Sequence, residues 1–129
     1  PSEIKNAIID TTVVSGHGST SGEENFTSTD KLYLLAPGEV WSDWKTSRGA
    51  SYDTAKDLTR TLDYYTSIGV TTSNYSGAIK KNGTSASGWW LRAAYSKTTT
   101  YFFSVYDNGD WRASYADSTR GVAPAFRLG

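Results

Sequence analysis

This 129-residue chain predicts an α+β fold, with two helices early and an antiparallel sheet late. Three observations carry that expectation. Apolar residues recur at helical spacing over residues 2–10 and 54–68. After Trp89, β-branched and aromatic residues alternate with polar ones, as strands do. Twelve glycines and abundant Ser and Thr supply the turns between elements. The length suits one domain over residues 1–129 with a core of its own. Pro1 in place of an initiating Met leads us to expect the C-terminal part of a longer protein.

In order, residues 2–10 read as a short amphipathic helix, with Ile4, Ala7 and Ile8 on one side and Ser2 as its cap. Residues 11–14 are β-branched and form a brief strand. Residues 17–25 (HGSTSGEEN) are a loop by composition. Residues 30–35 (DKLYLL) read as a buried strand stopped by Pro37-Gly38, after which Glu39-Val40-Trp41 turns into a polar loop through Gly49. Residues 54–68 are the strongest helix, because Ala55, Leu58, Leu62 and Tyr65 share a face. Asp53 or Thr54 caps its start, and Gly69 stands where a C-terminal cap belongs. Residues 71–88 read as an irregular Ser/Gly/Asn-rich loop.

Beyond Trp89, Phe103 and Val105 are expected to face the core, with Phe102, Ser104 and Tyr106 outward. Asp107-Asn108-Gly109-Asp110 is a hairpin-type turn, because Asn-Gly readily supplies positive φ. Residues 111–115 return, and residues 122–128 close the sheet.

Composition narrows function by exclusion. The chain is 37% hydrophobic and 14% aromatic, with five Trp and nine Tyr, so large rings supply much of the core. Thirteen basic and 13 acidic residues cancel. No basic patch for nucleic acid is visible, and no apolar run approaches the roughly 20 residues of a membrane span. There is no Cys, hence no disulfide, thiolate nucleophile or Cys-based metal site.

Catalytic motifs are equally scarce. His17 is the sole histidine, placed in a Gly/Ser loop without the oriented partners that acid–base work needs. Ser15, Ser19 and Ser21 do not form G-x-S-x-G. Glu23-Glu24 and Glu39 are carboxylates of the kind glycoside hydrolysis uses. Glu23-Glu24 reads better as a solvated loop, and Glu39 as a tie to backbone amides. Residues 107–110 lack the alternating register and distal Glu of a calcium loop. The sequons at Asn25, Asn74 and Asn82 arise easily by chance in a Ser/Thr-rich chain. Arg92 is expected to pair with Asp30 or Glu39. No enzyme activity, cofactor or metal is expected.

The most informative stretch is residues 89–129, which is written in two registers. Trp89-Trp90-Leu91-Arg92 and Gly121-Val122-Ala123-Pro124-Ala125-Phe126-Arg127-Leu128 form a frame, with Phe103, Val105 and Trp111. Between lie Tyr, Ser, Thr, Asp and Asn, the mixture of antibody-like binding surfaces. Replacing Trp90 or Phe126 is expected to cost roughly 3–5 kcal/mol.

The strings WWLR, DKLYLLAPGEVW, LTRTLDYYTSIGVTTSNYSGAIK and GVAPAFRLG resemble the variable proteins of diversity-generating retroelements. The branch is one found in gut bacteria and their phages, and it is related to a broad bacterial domain family ending in a similar Gly-Val-x-Pro-Ala motif. The resemblance implies a C-type lectin-like fold with a variable ligand-binding surface near the C-terminus. It also implies diversification by error-prone copying of template adenines, whose Asn-type codons never yield Trp, Lys, Glu, Gln or Met. In residues 93–119 only Lys97 and Trp111 fall outside the reachable set. The calcium motifs Glu-Pro-Asn and Gln-Pro-Asp are absent, so calcium-dependent sugar binding is not expected. The lack of Cys excludes formylglycine-generating chemistry, which shares the fold.

The reading is therefore a non-catalytic binding domain. Tyr95, Tyr101, Phe102, Ser104, Tyr106, Asp107, Asp110, Arg112, Ser114, Tyr115, Asp117 and Ser118 are expected to form one exposed patch for a protein or glycan on a target surface. Display on a phage virion, as a tail fibre, or on a bacterial cell surface is expected. Oligomerisation stays open. The rivals are an assembly module of a surface protein or fibre, and a glycan-acting hydrolase working through Glu39 or Glu23.

Overall fold

Thirteen buried hydrophobic residues form one core, and all but Ala78 come from two very different stretches of chain. The computed structural model describes residues 1–129. One stretch is an antiparallel three-stranded sheet whose strands, Trp89–Ala94, Tyr101–Val105 and Trp111–Tyr115, lie side by side in chain order. The other is the irregular segment around residues 35–70, which contributes Leu35, Val40, Trp41, Trp44, Ala50, Tyr65 and Val70.

The chain opens with helix α1 (Ser2–Ala7), strand β1 (Ile8–Ile9), strand β2 (Thr11–Ser15) and strand β3 (Phe26–Asp30). The expected first helix is shorter than residues 2–10, because Ile8 and Ile9 pair with the chain's end, and Ser2 makes no capping bond. β2 and β3 form an antiparallel pair in unbroken register from Thr11↔Asp30 to Ser15↔Phe26.

The buried strand expected over residues 30–35 is not formed. Asp30 ends β3, Tyr33 makes only a single bridge to Ala125, and Leu32 is exposed while Leu35 is buried. Pro37 does not stop an element but starts one, the single turn α2 (Pro37–Val40), as its fixed φ allows at a first helical position.

The long helix expected over residues 54–68 is also not formed. A single 3-10 turn, Lys56–Leu58, gives way to extended backbone at Thr59 and Leu62, and only α3 (Asp63–Ser67) is helical. Tertiary hydrogen bonds override propensity here. The Leu62 amide donates to the Glu39 carbonyl at 3.0 Å, and the Thr61 hydroxyl to the Gly38 carbonyl at 3.0 Å. Leu58, expected to face the core, is 60% exposed, while Ala55 and Tyr65 are buried as expected. Gly69 does close the helix, with φ of +72°, where a side chain would be strained.

Residues 71–88 contain a 3-10 turn, Ser76–Ala78, and a small hairpin of β4 (Lys80–Asn82) and β5 (Ser85–Ser87). Then come β6 (Trp89–Ala94), β7 (Tyr101–Val105) and β8 (Trp111–Tyr115). Gly109 takes φ of +92° in the turn between the last two, and a Cβ there would collide with the Tyr75 carbonyl. The closing strand is reduced to β9 (Arg127–Leu128), which pairs with β1 and ties the two chain ends together. Of the rest of the C-terminal motif, Ala123 and Ala125 pack half-buried against the core, but Val122 and Leu128 are exposed and Phe126 is 44% exposed. Phe126 therefore does not anchor the frame as expected. Trp89 is buried, its indole donating to the Ala78 carbonyl at 3.1 Å, whereas Trp90 is only half-buried on the opposite face.

Candidate functional site

The register of β6–β8 sorts its side chains onto two faces. Opposed pairs Tyr101↔Tyr115, Phe103↔Ala113 and Val105↔Trp111 share the inner face, joined by Trp89 opposite Val105. Pairs Phe102↔Ser114 and Ser104↔Arg112 share the outer face, joined by Trp90 opposite Ser104 and Ala94 opposite Phe102. One patch is thus not what the expected residues form. Alternation within a strand sends neighbours to opposite sides.

On the inner face, Phe103 and Val105 are fully buried, as expected. Phe103 meets Trp44 edge-on at 5.3 Å, and Trp44 in turn packs on Trp41 at 5.4 Å and Trp111 at 5.8 Å. Ring contact then runs outward from the core towards solvent. Tyr95 lies 5.3 Å from Phe103, 4.9 Å from Tyr52 and 6.0 Å from Tyr101, and Tyr101 lies 4.5 Å from Tyr115. Tyr115, at the end of the row, is 56% exposed. Lys97 sits 5.5 Å above the Tyr52 ring, and Arg48 5.9 Å above Trp111. The row is a rigid aromatic edge with cations beside it.

On the outer face, Ser104 and Ser114 are buried, at 0% and 7% exposure, and their hydroxyls bond to each other at 2.9 Å. Both were expected to reach ligand. Instead each satisfies the other inside the protein, as buried hydroxyls must. Phe102, Tyr106 and Arg112 are exposed there, with the Arg112 guanidinium 4.4 Å from the Tyr106 ring centroid. Asp110 lies in the turn, accepting from the Trp111 amide at 2.8 Å and pairing with Arg112 at 3.1 Å. Asp107 is exposed in the same turn, and Asp117 and Ser118 follow β8 in a turn whose Ser118 amide donates to the Tyr115 carbonyl.

Between Trp90 and Ala94 the β6 register is bulged, so Leu91, Arg92 and Ala93 stand where a regular ladder would place one residue. The bulge frees Arg92 to knit four segments. Its own amide donates to the Leu35 carbonyl at 2.9 Å, Nε to the Val14 carbonyl at 2.8 Å and Nη1 to the Leu34 carbonyl at 2.9 Å. Nη1 also pairs with the Glu39 carboxylate, whose Oε1 accepts the Ala36 amide at 3.0 Å. Of the two expected partners, Asp30 and Glu39, Arg92 takes Glu39, and the expected tie of Glu39 to a backbone amide is present. Beside them, Asp53 accepts from the Trp44 indole at 2.8 Å and the Ala55 amide at 3.0 Å. Burial pushes its carboxyl above the ordinary 3.8, against those two bonds and the charges of Arg92 and Lys56.

The whole chain, residues 1–129, matches a family described as Domain of unknown function (DUF6273). The chain belongs to that family. No curated protein and no solved structure matches it. Within this DUF6273 domain, no group of three or more His, Asp or Glu side chains is arranged to hold a metal ion.

Sequence reasoning takes Asn25 as a sequon and Thr54 as a helix cap, and points to neither the tie they make nor the place of Tyr52. Asn25 Oδ1 accepts from the His17 amide at 3.0 Å and the Thr54 hydroxyl at 2.6 Å, while its Nδ2 donates to the Thr54 carbonyl at 2.9 Å. The two Asn25–Thr54 contacts join residues 29 apart and leave no local pattern in sequence. The Tyr52 ring joins the tyrosine row from a segment expected to be plain loop.

Proposed function

We propose that this domain is a non-catalytic ligand-binding module of C-type lectin-like architecture, and that exposed positions within residues 93–119 form a replaceable reading surface. The target is a protein or glycan on another surface, met by a phage virion or a bacterial cell. One observation carries the reading. Within the same two hairpins, Trp89, Leu91, Ala93, Phe103 and Val105 are buried, whereas Tyr106, Asp107, Arg112, Tyr115 and Asp117 reach solvent. A surface can be rewritten without touching a frame only where such a division exists.

Two further features support the lectin-like part. β1 and β9 hold both chain ends together, and the late sheet follows a long stretch of loops and short turns. The tyrosine row adds large area at low entropic cost, as in antibody paratopes. Ser104 and Ser114 belong to the frame in this reading.

Sequencing the locus from many independent isolates tests it. Differences confined to exposed codons of residues 93–119, each explicable from a template adenine, are the expected outcome. Differences scattered through the core would overturn it. Exposure of Val122, Phe126 and Leu128 favours a second reading, assembly with other copies. A mass that rises with protein concentration, and a Phe126→Ser variant that stays monomeric, would support that instead.

A further inference from the structure

Two Asn-Gly pairs occur in the chain, Asn82-Gly83 and Asn108-Gly109, each at the tip of a hairpin and each with its glycine at positive φ. Such a pair is chemically labile, because glycine leaves its amide nitrogen unshielded beside the asparagine carboxamide. The two tips hold these reacting groups in opposite ways. We propose that Asn82 is a site of spontaneous deamidation, which turns the tip of the β4–β5 hairpin acidic, and that Asn108 is spared.

At Asn108 both reacting groups are occupied. Its Oδ1 accepts from the Asp110 amide at 3.0 Å, and the Gly109 amide, the nucleophile, donates to the Tyr106 carbonyl at 3.0 Å. Gly109 is buried against the Tyr75 carbonyl, and its own carbonyl accepts from the Trp41 indole at 3.3 Å. Freeing this turn therefore disturbs Trp41, a member of the core.

At Asn82 neither group is held. Its carboxamide enters no hydrogen bond, and the Gly83 amide has no partner in the turn. Every residue from Lys80 to Ala86 is exposed, and the ladder between the strands is three pairs long. A two-stranded ribbon this short, with no core contact of its own, opens at little cost. Opening lets the Asn82 side chain turn onto the Gly83 nitrogen.

The reaction needs no reagent but water. The Gly83 nitrogen attacks Asn82 Cγ, the N–Cγ bond forms, and the Cγ–Nδ2 bond breaks as ammonia leaves with the former amide proton. Water then opens the resulting succinimide. Cleavage of N–Cγ yields aspartate, and cleavage at the main-chain carbonyl yields isoaspartate. Nothing is oxidised or reduced. Either product sets a carboxylate beside Lys81 and tips the balance of 13 basic and 13 acidic residues towards the acidic by one. Isoaspartate also lengthens the backbone by a methylene, which breaks the Asn82↔Ser85 register. It thereby reshapes the cleft of about 310 Å³ that Lys80, Lys81 and Asn82 share with Gly121 and Val122. Asn82 precedes residues 93–119, so the proposal does not depend on the reading surface.

The test ages the folded domain and a urea-unfolded sample side by side in mildly alkaline buffer and follows their tryptic peptides by mass. Digestion in heavy-oxygen water marks any conversion that happens during handling. Cleavage after Lys81 and Lys97 puts Asn82 and Asn108 on separate peptides. In the folded domain Asn82 should convert at least about tenfold faster than Asn108, whereas in urea the two should react at similar rates. Part of the Asn82 product should accept a methyl group from an isoaspartyl methyltransferase. Asn82→Gln, whose longer side chain cyclises far more slowly, should abolish the acidic species that anion exchange resolves from the aged domain. Equal rates at the two sites in the folded domain, or a faster rate at Asn108, overturn the proposal. A folded-state rate at Asn82 below about a hundredth of its rate in urea overturns it too, since the hairpin would then shield the amide.

Discussion

The sheet β6–β8 and the irregular segment over residues 35–70 enclose one core, yet they satisfy their backbones by opposite means. In the sheet, ladder bonds run between strands in register, and side chains are left to pack. In the segment, side chains take the place of the ladder. Glu39 holds the Ala36 amide, Asp53 the Ala55 amide, and Asp43 the Thr72 amide at 2.7 Å. An apolar position in the sheet therefore asks for a size, whereas a polar position in the segment asks for one particular group. Buried polar groups are costly once half-satisfied, so the segment is expected to be the less forgiving.

Arg92 is where the two means meet, and its removal should be the most damaging change. Arg92→Met keeps most of the side chain's length but leaves the Glu39 carboxylate buried without its cation. The Val14 and Leu34 carbonyls lose their donor as well. A loss of about 4 kcal/mol is expected in urea unfolding. A loss below about 1 kcal/mol would mean that the segment does not depend on its polar ties, and the contrast would fall.

Asp53→Asn is next, at about 2 kcal/mol in acid, because an amide nitrogen must then face either the Trp44 indole or the Ala55 amide, both donors. Its pH dependence sharpens the point. Burial raises the folded-state carboxyl above the unfolded value near 3.8, so the native state keeps a proton that the unfolded chain has released. The stabilising effect of that proton is complete below 3.8 and is lost as pH rises through the raised folded value. Wild type should therefore lead the variant most at low pH, and the lead should shrink towards neutrality. Paired denaturation curves across acid pH would show it. A lead that grew with pH would mean that the Trp44 and Ala55 bonds outweigh burial.

Phe103→Leu probes the sheet in its own terms. Phe103 is fully buried and ringed by Trp44, Tyr95 and Trp111, but no hydrogen bond depends on it. An apolar replacement of nearly the same size should cost about 1.5 kcal/mol. If it cost as much as Arg92→Met, the sheet would be no more tolerant than the segment.

The same contrast explains what could be read in advance. β7, β8 and the turn at Gly109 are local objects: period-two alternation of faces and a glycine at positive φ are written within a few residues. The inward places of Phe103 and Val105 follow from that period. Ser104 and Ser114 obey it too, but the period only names a face, and what covers that face comes from distant chain. The residues 54–68 show the opposite failure. Their helical spacing is real, yet the chain at Thr61 and Leu62 is held by Gly38 and Glu39, more than 20 residues away. The Asn25–Thr54 tie is equally non-local. Arg92 could be narrowed in advance to Asp30 or Glu39 only because a buried arginine demands a carboxylate, and it took the fold to choose Glu39.

The smallest effect should come from the exposed end of the tyrosine row. Tyr115 touches only Tyr101 among the rings, and more than half of its surface is in solvent. Tyr115→Ala should shift unfolding by less than about 1 kcal/mol, since little area is returned to water and no buried group loses a partner. Phe126→Ala should cost far less than the loss of a core ring, because Phe126 is 44% exposed. Thermal melts of both variants beside Phe103→Leu decide the matter. If Tyr115→Ala melted the domain as severely as a core change, the row would belong to the frame. The division between fixed and replaceable residues would then have to be redrawn with Tyr95 and Tyr101 on the fixed side.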